Sequence, residues 1–307
     1  MGIFRRSAAP FDTALAIGSF DGVHLGHQAM LARAGAAARE RAIAAAALTF
    51  EPLPREFFSP GRAPARLSSL GEKIAALAAA GIGTAFVERF DARFAAISAD
   101  DFAERLARRY RARWIIVGPD FRYGARRQGD TGSLAAAGRK WGFEVEILAP
   151  VTLDGERVSS TAVREALAAA DFARAARLLG RPYDICGRVV RGARRGREMG
   201  FPTANVRLAR PRAPLSGIFA VKCAIAATRG LEGVASLGIN PALGPGGPET
   251  LEAHLFDFSG DLYGERLSIE FVKKLRDEAD FASLDELAAQ IRRDCEAARG
   301  HFRDTRP

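Results

Sequence analysis

Long apolar runs are absent from these 307 residues, and no stretch approaches the roughly 20 apolar residues that a membrane-spanning helix needs. Asp12 interrupts the N-terminal stretch MGIFRRSAAPFD before a signal-peptide core can form. Arg6 stands where a myristoylation pattern requires Ser or Thr. A cytoplasmic protein with no membrane partner is expected. Cysteine is scarce: Cys186, Cys223 and Cys295 lie far apart, with no CxxC pair and no Cys/His cluster. That spacing excludes a disulfide framework and a zinc site, leaving three reduced, mostly buried thiols. Lysine is also rare, five of the 45 basic residues. The net charge of +9 is therefore carried by arginines scattered through every segment, not by one basic block. Such a surface attracts small anions and argues against a nucleic-acid partner. A GxxxxGK[ST] phosphate loop is missing too.

The length suits two domains, and apolar and charged shares of 48% and 26% fit an ordinary globular chain. In the first part strands at 13–20, 44–50, 84–89, 114–118 and 143–149 alternate with helices at 28–42, 72–80, 98–110 and 133–141. This α/β alternation predicts a parallel sheet with helices on both faces and ligands at the carboxyl ends of its strands. Helical stretches at 161–169 and 171–179 close this part, and Gly180-Arg-Pro-Tyr183 breaks the pattern. Short strands at 184–190, 218–226, 233–238, 250–258 and 266–271, separated by Gly/Pro-rich turns, then predict a small antiparallel barrel or sandwich. Domains of 1–182 and 183–307 follow. A terminal helix is announced by Ser283 and Glu286 as a capping box, with Leu284, Leu287, Ala288, Ile291 and Cys295 as its packing stripe.

Two of only four histidines fall in Gly18-Ser-Phe-Asp-Gly-Val-His-Leu-Gly-His27, where a strand hands over to a helix. Gly22 and Gly26 allow a ligand close to the backbone, and His24 and His27, three apart, can face one ligand. The helix start adds N–H groups and partial positive charge, which together suit phosphates. Ser159, Ser160 and Thr161 offer hydroxyls at a second helix start, with Arg164 one turn further in. Gly192, Gly196 and Gly200, at four-residue spacing, suggest a loop whose backbone approaches a phosphate. If extended, Thr203 and Asn205 present a hydroxyl and an amide oxygen on one face, neutral donors of the kind Mg²⁺ accepts beside phosphates. Alternation places Glu252, His254, Phe256 and Phe258 on one strand face, where Glu252 is a candidate general base.

FDGVHLGH resembles the HIGH-type motif of nucleotidyltransferases in the form found in bacterial FAD synthetases, and Val158-Ser-Ser-Thr-Ala-Val-Arg164 is similar to their ISSTxxR segment. Val117-Gly-Pro-Asp-Phe-Arg-Tyr-Gly124 and Phe50-Glu-Pro-Leu-Pro54 resemble two further motifs of that family. Gly187–Gly192 followed by Gly196-Arg-Glu-Met-Gly-Phe-Pro-Thr-Ala-Asn205 resembles the GFPTAN motif of riboflavin kinases, and Leu262-Tyr-Gly264 and Leu275–Phe281 resemble later segments of the same enzymes. The chain is thus identified as similar to the bifunctional riboflavin kinase/FAD synthetase family from about Ile3 to Asp294.

The resemblance implies a Rossmann-like nucleotidyltransferase domain followed by a riboflavin kinase barrel. It implies that His24, His27 and Arg164 serve adenylyl transfer from ATP to FMN, with Gly18, Phe20, Asp21, Gly22, Gly26, Asp120, Ser159, Ser160 and Thr161 around the nucleotide. For phosphorylation of riboflavin it implies Glu252 as base, Thr203 and Asn205 as Mg²⁺ ligands, and Gly192, Gly196, Gly200 and Pro202 at the nucleotide. Phe50, Arg276 and Phe281 are the implied flavin contacts. Riboflavin, FMN, FAD and ATP are the implied small-molecule partners, of a monomer or weak homo-oligomer.

Departures from the family pattern are Ser19 for Asn, Leu53 for His, Arg191 for His and Ala242 for Thr. Competing readings are an adenylyltransferase for another mononucleotide or for phosphopantetheine, which has no reason to carry PTAN, and a class I tRNA synthetase, which needs a KMSKS-like loop that is missing here. A basic nucleic-acid-binding protein with degenerate sites is the reading outside enzymes.

Overall fold

The computed structural model describes residues 1–4, 8–192, 200–239 and 247–305. They form two compact units: residues 1–64 with 70–160, and residues 65–69 with the chain from 161 onward.

The first unit contains strands β1 (Gly2–Phe4), β2 (Thr13–Ile17), β3 (Ala44–Glu51), β4 (Thr84–Arg89), β5 (Ala112–Val117) and β6 (Glu144–Ile147). Helices α1 (Leu25–Glu40), α2 (Pro54–Phe58), α3 (Leu70–Ala79), α4 (Ala92–Ala95), α5 (Ala99–Arg108) and α6 (Thr131–Trp141) alternate with them, and a small hairpin of β7 (Thr152–Leu153) and β8 (Glu156–Arg157) follows. The six-stranded sheet has the order β1-β4-β3-β2-β5-β6 with every pair parallel. Alternation inside the strands shows why both faces are covered. Leu15, Ile17, Leu48, Ile115 and Val117 join one apolar cluster with Phe102, Leu106 and Leu134 of α5 and α6. Ala14, Ala16, Ala47 and Ile116 join another with Met30, Leu31, Ala34 and Ala37 of α1. Alanines on both sides of that second contact let the helix lie close to the sheet.

The second unit begins in α7 (Ser160–Ala168) and continues through α8 (Phe172–Leu179) into strands β9 (Asp184–Val190), β10 (Ala204–Val206), β11 (Gly217–Ile225), β12 (Thr228–Ile239), β13 (Glu249–Leu255) and β14 (Arg266–Arg276). They close into an antiparallel barrel of order β10-β13-β12-β11-β14-β9. Ile185, Val189, Leu251, Ala253 and Leu255 alternate into its buried interior. Residues 65–69 also belong to this unit, and Arg66, Leu67, Ser68 and Ser69 are all buried. The Leu67 carbonyl accepts from the Tyr183 hydroxyl at 3.0 Å and from the buried Arg210 at 2.8 Å.

The two-part α/β and barrel architecture is the one expected, with local differences. β2 ends at Ile17 because Phe20 turns to φ 48°, outside the strand region. β13 ends at Leu255 because Asp257 turns to φ 53°, which leaves Phe258 outside the strand, while Phe256 lies 5.9 Å from the His254 ring within an apolar cluster. In the terminal helix α9 (Leu284–Asp304) the expected stripe begins too early. Leu284 is 64% exposed, whereas Ala288 of the same stripe is buried and Cys295 packs with Ala298 and Phe302 against Ile218 and Val234. Ser283 accepts the Glu286 amide at 3.2 Å, but the Glu286 carboxylate accepts from Ala282 at 3.0 Å, one residue before the capping position. All three cysteines are free, and burial pushes the Cys223 thiol up to about 12.

Candidate active sites

From β2 the chain builds outward to β3 and then β4, and it returns to the other side of β2 for β5. The direction of winding therefore reverses between β2 and β5, and a doubly wound sheet opens its ligand crevice at that reversal. The loops leaving these carboxyl ends are 18–24 and 118–124, both of which carry predicted site residues.

The first loop is tightly built. Phe20, Gly22 and Val23 have φ of 48°, 80° and 42°, so two residues with side chains sit in the left-handed region within four positions. Each costs roughly 1–2 kcal/mol, and such a backbone persists only where its surroundings over-determine it. Phe20 and Val23 are buried, which supplies part of that restraint. Side chains from three elements supply the rest by holding alternate carbonyls. Thr49 of β3 donates to Ser19 at 3.2 Å, Ser160 to Asp21 at 3.0 Å, and Gln28 of α1 to Val23 at 2.9 Å. Ser160 thereby joins the second motif to the first, and Gly26 lies against it: a Cβ there would stand 3.5 Å from the Val158 carbonyl and 3.2 Å from the His24 ring. At Gly18 a Cβ would meet the Phe20 ring at 3.3 Å.

His24 caps α1, its Nδ1 accepting from the His27 amide at 3.4 Å, which leaves the imidazole proton on Nε2. The two rings stack with centroids 3.7 Å apart. Burial, then His24, then Lys73 hold the His27 imidazole well below its usual 6.5, so at neutral pH it carries no charge. Among the described residues its buried Nδ1 has no hydrogen-bond partner, a cost of about 1–3 kcal/mol that a structural histidine would avoid.

The other predicted residues of this half are more dispersed. Asp120 is exposed and paired with Arg157 at 2.5 Å. Phe50 is buried, its ring 5.8 Å from Phe90 and 5.6 Å from Phe94, in an aromatic group that continues through Phe57 to Phe58, which is 62% exposed. Ser159 precedes α7; Thr161 and Arg164 belong to the second unit, where Arg164 Nε donates to the Ala65 carbonyl at 2.6 Å.

On the barrel, Asn205 of β10 lies directly opposite Glu252 of β13, and Ser236 of β12 opposes Glu252 on its other side. Directly opposed residues project to the same face, so these side chains form one row across three strands. Ala204, Val206, Leu251 and Ala253 point the other way, into the interior. Thr203 donates to the Glu252 carboxylate at 3.2 Å. His254 donates through Nδ1 to the Pro202 carbonyl at 2.9 Å, pinning the PTAN turn to β13. Gly200 takes φ 83°, and a Cβ on Gly192 would collide with the Asn205 carboxamide. Gly196 and Ala242 lie outside the described residues. Arg276 is held by the buried Asp294 of α9 at 2.8 Å, with its guanidinium 5.7 Å from the Phe281 ring. Arg191, a departure from the family pattern, stands over Tyr263 at 5.6 Å.

The FAD synthetase family model matches residues 7–162 and the riboflavin kinase model residues 179–302. Together they span both sites in order. The chain belongs to the bifunctional riboflavin kinase/FMN adenylyltransferase family. Proteins named bifunctional riboflavin kinase/FMN adenylyltransferase from Escherichia coli K12 and Pseudomonas fluorescens are 44% and 47% identical to it. The first alignment covers 100% of this chain and 98% of the relative, the second 92% and 91%. A crystal structure titled macrolide-efflux protein from Streptococcus pneumoniae is similar with a TM-score of 0.78 and 28% identity, covering 97% of this chain and 99% of that one. Among the described residues no helix is long and apolar enough to cross a membrane.

Within this bifunctional family fold, sequence reasoning missed the supports of both sites: Thr49, Gln28 and Lys73 in the first unit, Ser236 in the second. Thr49 and Ser236 give no local signal, because strand interiors are full of such residues. Lys73 gives one, as one of five lysines in an arginine-rich chain and set among apolar residues of α3.

Proposed function

We infer that the chain makes FAD from riboflavin in two ATP-dependent steps. The observation that carries this is the succession of an FAD synthetase match and a riboflavin kinase match along one chain, in the order of its full-length relatives. In the barrel unit the ribityl 5′-hydroxyl of riboflavin attacks the γ-phosphorus of ATP, the bond to the β–γ bridging oxygen breaks, and ADP leaves. Glu252 takes the hydroxyl proton, oriented by the Thr203 contact. In the parallel-sheet unit an FMN phosphate oxygen attacks the α-phosphorus of a second ATP, and pyrophosphate leaves.

For that transfer His24 and His27 are the proposed phosphate contacts. The orphaned Nδ1 of His27 supports the reading, because it suits a ligand richer in hydrogen-bonding groups than the protein around it. Gly18, Phe20, Asp21, Gly22, Gly26, Asp120, Ser159, Ser160 and Thr161 are assigned to the nucleotide and Arg164 to its triphosphate charge. Gly192, Gly196, Gly200 and Pro202 are assigned to the kinase nucleotide, and Phe50, Arg276 and Phe281 to flavin. Functional domains of 1–182 and 183–307 are proposed on the same ground.

The hydroxyl of Thr203, the carboxamide oxygen of Asn205 and the Glu252 carboxylate are hard oxygen donors, a set that fits Mg²⁺. Thr203 and Asn205 would hold it, and the bound ion would neutralise phosphate charge. Incubation with riboflavin, ATP and Mg²⁺ followed by chromatography should show FMN first and FAD after it. No FMN would remove the kinase reading; FMN without FAD would remove the adenylyltransferase reading.

A further inference from the structure

We propose that Lys73 is a positioning residue for adenylyl transfer, which fixes the entry to the histidine loop through the hydroxyl of Thr49. Lys73 lies on α3, away from every motif of the chain, yet it is only 1% exposed. Burying an ammonium is costly and is maintained only where hydrogen bonds and charge make use of it. Its Nζ donates to Thr49 Oγ1 at 3.3 Å, and that hydroxyl donates onward to the Ser19 carbonyl at 3.2 Å. The direction of the relay is set at its source: an ammonium only donates, so Thr49 accepts from it and must aim its own proton at Ser19.

Ser19 is the residue before Phe20, where the left-handed stretch begins. The other two carbonyl clamps, from Ser160 and Gln28, hold the middle and end of the loop. Thr49 holds its beginning, and Lys73 holds Thr49. Lys73 also acts directly on the site: after burial and His24, its charge is the third influence that disfavours protonation of His27. One buried cation thus orders the backbone that carries the histidines and adds to the burial and the His24 ring that keep the second of them neutral.

The inference rests on the assignment of adenylyl transfer to His24 and His27. In the full chain, Lys73→Met keeps length and apolar volume while removing the charge and the donor. FAD formation from FMN and ATP should fall about tenfold in kcat, the change that a loss of about 1.4 kcal/mol at the transition state produces. Riboflavin phosphorylation in the same preparation should be unchanged. Thr49→Val keeps the lysine and cuts the relay, and it should lose a similar factor. The double variant should lose little more than either single one, since members of one chain are not additive. With histidine labelled for NMR, the His27 midpoint should rise in Lys73→Met.

FAD formation within twofold of the parent in a folded Thr49→Val variant overturns the relay. So do losses that multiply in the double variant, or an unmoved His27 midpoint in Lys73→Met. If Lys73→Met fails to fold, the Thr49→Val result decides alone. His27→Ala separates the two levels: retained FAD formation there sinks the histidine assignment, whereas its loss beside an active Thr49→Val sinks only the role of Lys73.

Discussion

The two sites are built on opposite plans. In the parallel-sheet unit the site is a piece of backbone, bent through left-handed residues after β2 and held by side chains from β3, α1 and the start of α7. In the barrel it is a row of side chains on regular strands, aligned by register across β10, β13 and β12. The first plan takes its precision from clamps that are distant in sequence and are lost one at a time. The second takes it from the ladder itself, so that little besides the barrel is needed to hold Asn205 against Glu252. A single support should therefore matter more in the first unit, and a single steric intrusion more in the second.

Predictions that test this contrast run from large to small. Glu252→Gln should lower kcat for FMN formation by about 10²–10⁴, the usual worth of a general base, and leave FAD formation from supplied FMN intact. Retained kinase activity would remove Glu252 as the base. His27→Ala should lower FAD formation by about 10²–10³, the range for one preorganised donor, while FMN still accumulates. Equal loss of both products would contradict the separation of the sites. Gly192→Ala should drive a methyl group into the Asn205 carboxamide, weakening kinase activity and lowering stability by about 1–3 kcal/mol on denaturant unfolding. A variant as stable and active as the parent would mean that the row tolerates displacement.

The smallest effect concerns pH. His27 has a folded pKa below the 6.5 of the unfolded chain, so on acidification the unfolded state takes up a proton that the folded state refuses. Its contribution to stability is thus complete above 6.5 and declines as pH falls from there toward the folded value. The thermal midpoint of the parent should drop over that window more than that of His27→Gln. Parallel curves would show that His27 is solvated and not buried.

Much of this was legible in the sequence, for reasons that differ between the sites. FDGVHLGH carries its turn, its cap and both imidazoles within ten residues, so local chemistry was sufficient to find it. The barrel row was legible only as separate pieces. Thr203 and Glu252 meet across 49 positions, and it took the pairing of β10 with β13 to place Asn205 beside them. Supports were least legible: Ser160 reaches Asp21 across 139 positions, and no pattern of period 2 or 3.6 encodes such a contact. Boundaries erred where the backbone turned left-handed at residues with side chains, at Phe20 and Asp257, because propensity assigns those conformations to glycine. The terminal helix misled only through Leu284, whose apolar side chain satisfies the stripe on paper while burial begins one turn later at Ala288.

The short segment at 65–69 gives the chain an order of events. It is synthesised with the parallel-sheet half but folds with the barrel half, where Tyr183 and Arg210 donate to its Leu67 carbonyl. On a ribosome adding about 5–20 residues per second, it emerges roughly 5–20 s before the chain resumes that unit at residue 161. The first enzyme is therefore complete in sequence while a short irregular segment of the second is still waiting for its donors. A cut after residue 182 would leave residues 65–69 on the fragment that lacks their donors Tyr183 and Arg210.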